Sequence, residues 1–411
     1  MKKLMNVCAL VSALLAVSLC LTLTSCVGIS AAELSAGYTR TATDTGAESD
    51  VFYTAMTDFA FALLGKTLDP DGKSTLISPY SVAMCLGMLT NGAEGETKKQ
   101  LEELLGMDAD ELNRALYASA ARLCGKDRQL KNADSVWFRK GAIDVKKDFL
   151  QTNADWYGAG VYSAPFDGST VRDINNWCAK HTDGMIDKII DRIDDNTLMY
   201  LINAVCFDAK WEEKYENSDI RDSHFTNRDG SGASVKMLRS KGEKYISSDN
   251  AEGFIKNYEG GSFGFVGLLP RDAATDIYDF ARSIDGAAWR ALWQGRGGSA
   301  NAGIPEFGFE YEIILNDALG ELGVTDVFDS EKADLGGISD MPTYCSRIGH
   351  KTFIELDRNG TRAAAITWGA VDGESAEIAH NIILDRPFVC MIVDNESGIP
   401  VFVGVVTDLS A

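Results

Sequence analysis

A nucleophile needs a base and a metal needs clustered ligands, so serine motifs, histidines and cysteines are the places to look for chemistry. Gly260-Gly261-Ser262-Phe263-Gly264 has the G-x-S-x-G spacing of a hydrolase nucleophile elbow, which requires a strand before the serine and a helix after it. The residues that follow, Phe265-Val266-Gly267-Leu268-Leu269-Pro270, read as a strand stopped by proline, so the motif predicts a glycine-rich turn. The four histidines, His181, His224, His350 and His380, stand at no zinc-ligand spacing from one another or from a CxxC pair. Asp69-Pro70-Asp71-Gly72 lacks the other ligands of a calcium loop and reads as a turn. The sequence therefore predicts no metal and no cofactor. Cys85, Cys124, Cys178, Cys206, Cys345 and Cys390 show no paired spacing, and those at 85, 206 and 390 sit in apolar stretches that predict buried free thiols.

The 60 acidic residues against 39 basic ones give a net charge of −21, which repels phosphate backbones and anionic lipid; no basic patch in the sequence offsets it, so no nucleic-acid partner is expected. The N-terminus is an export signal. Lys2 and Lys3 precede an apolar run over residues 7–23, and Leu23-Thr24-Ser25-Cys26 resembles a lipobox whose cysteine is acylated and becomes the mature N-terminus. Residues 1–25 are thus expected to be a signal peptide, with an ordinary signal and an incidental Cys26 as the alternative. Residues 26–50, rich in Ala, Ser, Thr and Gly, predict a flexible tether. From 51 to 411 there is no linker, repeat or second apolar span, which predicts one domain.

Helical spacing marks residues 58–68, 81–90, 96–105 and 108–123, with Ser78-Pro79 able to cap and start the second helix. Alternating or continuous apolar runs predict strands at 133–139, 200–209, 263–269, 352–356, 388–393 and 401–406, giving an α+β protein rich in sheet. Between two of these strands lies a segment too long for a hairpin turn, Gly360-Thr361-Arg362-Ala363-Ala364-Ala365-Ile366-Thr367 followed by Trp368 and residues to 376. As a strand it would place Thr361, Ala363, Ala365, Thr367, Gly369, Val371 and Gly373 on one face, all small or uncharged. Such a segment can be an exposed loop in one state and an inserted strand in another.

With its neighbours, this pattern resembles the serpin family over essentially all of residues 51–411. The similarity rests on Ile77-Ser78-Pro79-Tyr80-Ser81, on Asn91-Gly92-Ala93-Glu94-Gly95-Glu96-Thr97, and on Asn175-Asn176-Trp177 with Thr182-Asp183-Gly184-Met185-Ile186. It continues through Leu201-Ile202-Asn203-Ala204 with Phe207 and Trp211, Leu268-Leu269-Pro270, Ile304-Pro305-Glu306-Phe307, Leu322-Gly323-Val324, His350-Lys351 and Arg386-Pro387-Phe388.

The resemblance implies a serpin fold of three β-sheets with about nine helices and an exposed reactive-centre loop that baits a protease. It also implies a suicide-substrate mechanism in place of enzymatic activity: an extracellular serine protease is trapped as a covalent acyl-enzyme while the cut loop inserts into the main sheet. Residues 360–367 match the family's small-residue hinge, except that Arg358 stands where a Glu is usual and Ile366 where a small residue is common. Ser78, Ser81, Asn203 and His350 correspond to the polar cluster that lets the sheet open, with Trp211 at the top of the opening. Fifteen residues counted from Gly360 place the reactive bond at Glu374-Ser375, whereas the spacing back from Pro387 points near Ala376. Glu374 suits a glutamate-preferring target and Ala370, Val371 or Ala376 an elastase-like one; no Lys or Arg lies between Arg362 and Arg386, which disfavours trypsin-like targets. The expected protein is a monomer, secreted or held at the outer face of the membrane only through a lipid on Cys26. A non-inhibitory serpin serving as a surface binding module, and an extracellular enzyme or solute-binding lipoprotein, are the alternatives.

Overall fold

Four helices come early in the chain, and the remaining helices are interspersed among the strands that follow. A computed structural model describes residues 29–124, 129–361 and 379–410. Strand β1 (Ala32–Glu33) and helix α1 (Asp50–Thr67) lead to β2 (Thr75–Ile77), and three helices follow, α2 (Pro79–Thr90), α3 (Gly95–Leu105) and α4 (Ala109–Leu123). Next come β3 (Leu130–Arg139), α5 (Lys147–Trp156), β4 (Gly160–Ala164), α6 (Gly168–His181), β5 (Met199–Phe207) and β6 (Ala209–Lys210). Strands β7 (Ile220–Thr226), β8 (Gly232–Ser247), β9 (Ala251–Asn257) and β10 (Phe263–Pro270) precede α7 (Ile277–Ser283) and α8 (Gly286–Gln294). The chain closes with β11 (Ser299–Pro305), β12 (Phe307–Ile314), α9 (Asn316–Glu321), β13 (Arg347–Asp357), β14 (Gly360–Thr361), β15 (His380–Ile383), β16 (Phe388–Asp394) and β17 (Pro400–Val406). The described residues thus hold nine α-helices, as the sequence led one to expect.

One sheet runs β1-β4-β3-β5-β13-β14-β6, with β12 paired along β13 from Gly349 to Leu356. The other runs β15-β11-β8-β9-β10-β16-β17-β2, with β7 also on β8. The third expected sheet is continuous with this second one, because β8 is 16 residues long. Its first part pairs with β7 and β11, and its last residues, Lys244 to Ser247, pair with β9.

Burial explains why some strands were plain in the sequence. Every residue of β5 is buried, and its alternate side chains enter two separate cores. Leu201 and Val205 join the main core between the sheets, whereas Tyr200, Ile202 and Ala204 join a smaller one under α6 with Trp137 and Trp177. A strand covered on both faces reads as a continuous apolar run. Helix α2 is buried on all sides. Ser78 Oγ accepts from the Ser81 amide at 3.4 Å and Pro79 occupies the first turn, so the helix start is fixed by sequence.

Residues 29–49 depart from the expected tether. The Asp173 carboxylate accepts from the Ser30 amide, the Ser30 hydroxyl and the Ala31 amide at 3.0, 2.7 and 2.8 Å, and β1 then pairs with β4. Further along, Arg40 lies 3.6 Å over the Tyr117 ring and Asp155 accepts from the amides of Thr41 and Ala42. Glu48 meets Arg122, which also grips the buried Asp394. The segment carries few large apolar residues, but fixed carboxylates on α5 and α6 satisfy its backbone donors. The same sequence therefore reads as loose and lies as a strap.

Candidate functional site: the seam in the first sheet

Strands β5 and β13 run parallel and pair at only five positions, from Tyr200 with Arg347 to Ala204 with Lys351. Beyond Lys351 the strands part, and β13 pairs instead with β14, Leu356 with Thr361 and Asp357 with Gly360. On its other side β14 pairs with β6, Gly360 with Lys210 and Thr361 with Ala209. Gly360 and Thr361, the first two residues of the expected hinge, thus lie in the gap at one end of the seam.

The seam is held shut by polar groups brought from one helix start. The Ser78 amide donates to His350 Nε2 at 3.0 Å on the β13 side, and the Ser81 hydroxyl donates to Asn203 Oδ1 on the β5 side. One turn of α2 therefore grips both strands. Ser78 Oγ is itself spent on the Val401 carbonyl at 2.8 Å. Asn203 and His350 face each other in the β5–β13 ladder, and Asn203 Nδ2 donates to Asp134 Oδ1 at 2.7 Å and Asn132 Oδ1 at 3.0 Å. Asp134, Asn203 and His350 form one row across β3, β5 and β13.

The row is dry, and burial sets its protonation. Desolvation pushes the Asp134 carboxyl up to about 7, opposed by the hydrogen bonds from Asn203 and Asn132. Desolvation also pushes His350 down to about 4, so its imidazole is neutral. Because Nε2 accepts from Ser78, the proton sits on Nδ1, which has no partner among the described residues.

Trp211 marks the open end. Its indole N–H donates to the Asp357 carbonyl at 2.9 Å, its amide donates to the Asn359 carbonyl at 3.0 Å, and its ring stacks on Tyr258 at 4.6 Å. The Tyr258 and Thr361 hydroxyls lie 2.6 Å apart. Asp357 Oδ1 accepts from the amides of Asn359 and Gly360, closing the turn that delivers the hinge. A Cβ at Gly360 would lie 2.0 Å from the Ala209 carbonyl oxygen, so only glycine fits there. Arg358 is compensated: it pairs with Glu306 at 3.7 Å and donates to Asn217 at 2.8 Å.

The structure therefore brings Ser78, Ser81, Asn203 and His350 together, and sets Trp211, Gly360 and Thr361 at the far end of the same seam. Hinge residues 362–367, the bond Glu374-Ser375 and Cys26 lie outside the described residues. Sequence reasoning missed Asp134, Asn132 and Tyr258; an acid in the middle of a strand flanked by Val136 and Phe138 was the available signal for the first. Gly260 and Gly261 form a left-handed turn before β10, as the reading of that motif anticipated. The six cysteines among the described residues form no disulfide with one another.

Comparisons with known proteins agree with this architecture. A sequence profile of the Serpin (serine protease inhibitor) family matches residues 54–409. Leukocyte elastase inhibitor A of Rattus norvegicus is 30% identical over 346 residues, covering 80% of this chain and 91% of the relative. The thermophilic serpin tengpin in its native state is 36% identical, with a TM-score of 0.87 over 92% of this chain and all of that one. Tengpin in its latent state gives 0.78 over 89% of this chain and 99% of that one. By its match to the family profile over most of its length and by its relatives, the chain belongs to the serpin family.

Proposed function

We propose that the protein is a suicide-substrate inhibitor of serine proteases that traps its target by inserting the hinge segment between β5 and β13. The observation that carries the reading is the short five-pair ladder with Gly360 and Thr361 already seated in the gap beyond it. In the proposed reaction the target's serine Oγ attacks the Glu374 carbonyl, and the ester forms as the peptide bond to Ser375 breaks. The new amine leaves with a proton supplied by the protease. Insertion of residues 362–367 behind Thr361 then draws the acylated end across the sheet before water can hydrolyse the ester. The small side chains at 363, 365 and 367 support this, since bulky or charged residues would slow entry into a dry seam. The target is an elastase-like or glutamate-preferring enzyme, a reading the relative named leukocyte elastase inhibitor supports.

The export signal and the lipobox-like tetrad support a secreted protein, held at the outer face of the membrane by a lipid on Cys26. Only residues 27 and 28 would separate that anchor from the strap at Ile29, so the domain would stand within roughly 10 Å of its attachment.

Incubation with elastase-like and glutamate-specific serine proteases tests the proposal. A denaturant-resistant complex is expected, with a released peptide beginning at Ser375. Complete cleavage without a complex, across both classes, would refute it.

A further inference from the structure

Beside the hinge, on the second sheet, lies a cleft of about 640 Å3 that the inhibitory mechanism does not use. Its floor is the edge of three strands: Asn381 of β15 beside Asn301 of β11, and Ala302 of β11 beside Ser240 of β8. The loop from Glu213 to Asp219 forms one wall. In a chain of net charge −21, this cleft gathers Lys214, Arg221, Arg239, Lys241 and Lys256 against only Glu213 and Asp219. Lys256 is committed to Glu243 at 2.8 Å, but Arg221, Arg239 and Lys241 make no ion pair or side-chain hydrogen bond among the described residues. Asp219 is turned to its own loop, accepting from the Glu216 amide at 2.8 Å.

A second feature is independent of charge. The Tyr215 and Ser240 hydroxyls lie against each other, line the cleft, are shut from bulk solvent and have no hydrogen-bond partner beyond one another among the described residues. Tyr215 is 6% exposed, and its ring is fixed by Trp211 at 6.3 Å and by the Lys256 ammonium at 4.7 Å. When two buried hydroxyls bond to each other, one O–H of the pair still lacks an acceptor, which costs free energy unless a bound molecule supplies one. A hydroxyl pair with an O–H to spare beside guanidinium groups that make no ion pair matches a tetrahedral oxyanion, for which arginine has the geometry and charge.

We propose that this cleft binds a phosphate or sulfate group, held by the hydroxyl pair of Tyr215 on the wall and Ser240 on the floor and by Arg221 and Arg239 at the rim. The wall that would hold the ion also holds the hinge: the Tyr215 amide reaches the Arg358 carbonyl at 3.4 Å, and Asn217 accepts from the Arg358 guanidinium. Occupancy would therefore brace the loop that carries the turn into β14. Because binding is measured on the uncut protein, it stands or falls separately from protease inhibition.

The test uses protein expressed from the full chain. Inorganic phosphate, inorganic sulfate and glucose 6-phosphate are titrated by calorimetry and by the midpoint of thermal unfolding, with sodium chloride at matched ionic strength as control. All three oxyanions should bind and raise the midpoint; tighter binding of the sugar phosphate would identify an esterified group as the natural ligand, and equal binding a free ion. Tyr215→Phe, which keeps the ring and removes one donor to a charged group, should weaken binding about tenfold. Arg221→Ala combined with Arg239→Ala should abolish it while leaving the chloride midpoint near that of the parent. No binding above the chloride control, or binding that both variants leave intact, overturns the proposal.

Discussion

Asn203 and His350 are opposed in the ladder joining β5 to β13, yet each is tied to a different residue of the same helix turn, Ser81 and Ser78. A strand entering between them must separate the pair while α2 still reaches for both. The seam is thus guarded at its centre by hydrogen bonds and at its mouth by Trp211 and Tyr258.

Removing the central guard should weaken the intact form. Asn203→Ala strips Ser81 of its acceptor and leaves buried Asp134 with one fewer donor, at a cost of about 1–3 kcal/mol. The midpoint of thermal unfolding of the uncut protein should fall by about 1–4 °C, at roughly 1–1.5 °C per kcal/mol for a domain that spans residues 51–411. An unchanged midpoint would show that the cluster does not hold the seam.

Protonation of the same row should give two opposed pH dependences. His350 has a folded pKa of about 4, below its ordinary 6.5, so its contribution is present above 6.5 and is lost as pH falls toward 4. Asp134 has a folded pKa of about 7, above its ordinary 3.8, so its contribution is present below 3.8 and is lost as pH rises toward 7. Between about pH 4 and 6.5 the two slopes oppose. Asp134→Asn removes the second, and its thermal midpoint should climb with pH through this range more steeply than the parent's. At pH 8 the variant escapes the cost of a buried charge, offset by about 1–3 kcal/mol because a carboxamide keeps one acceptor for two donors, Asn203 and Asn132. Parallel pH profiles for the two proteins would contradict the assignment.

Thr361 is 2% exposed and enters the gap ahead of the rest of the hinge. Thr361→Arg would place an uncompensated charge in the seam, at several kcal/mol. Each 1.4 kcal/mol added to the insertion barrier slows it about tenfold, so the variant should be hydrolysed as a substrate with little complex formed. Measuring moles of inhibitor consumed per mole of protease checks this; an unchanged ratio would mean that Thr361 does not enter the seam.

The strap supplies a prediction of its own. Arg122 joins Glu48 to Asp394, a carboxylate that is fully buried. Arg122→Ala should cost about 3–5 kcal/mol, because it leaves that charge without its partner cation, whereas Glu48→Gln should cost about 1 kcal/mol or less. Thermal midpoints compare them, and limited proteolysis should cut residues 29–49 faster in Asp173→Ala, which removes the acceptor of all three strap hydrogen bonds, than in the parent. Equal cutting rates would contradict a fastened segment.

What could be read from the sequence follows from how each element is stabilised. Ser78-Pro79 announced α2 because capping is local, and β5 was plain because both its faces are apolar. Helix α1 begins at Asp50, earlier than the predicted residue 58, because Ser49 caps it and Phe52, Ala55 and Met56 continue its buried face. The two-residue strands β6 and β14 have no period to detect, and they exist only because Gly360 can approach Ala209. The strap was misread for the same reason: its partners Asp155, Asp173 and Arg122 are distant in sequence. Asp134 looked like an interruption in a strand until Asn203 was seen beside it.

The central claim is that the seam between β5 and β13 accepts the cut loop as a new strand, and heating tests it most directly. Protein expressed from the full chain is cleaved within residues 368–376, and the thermal midpoints of cut and uncut forms are compared. The account predicts that the cut form, with an added strand, unfolds far above the uncut one. Equal midpoints, or a lower one for the cut form, would contradict it.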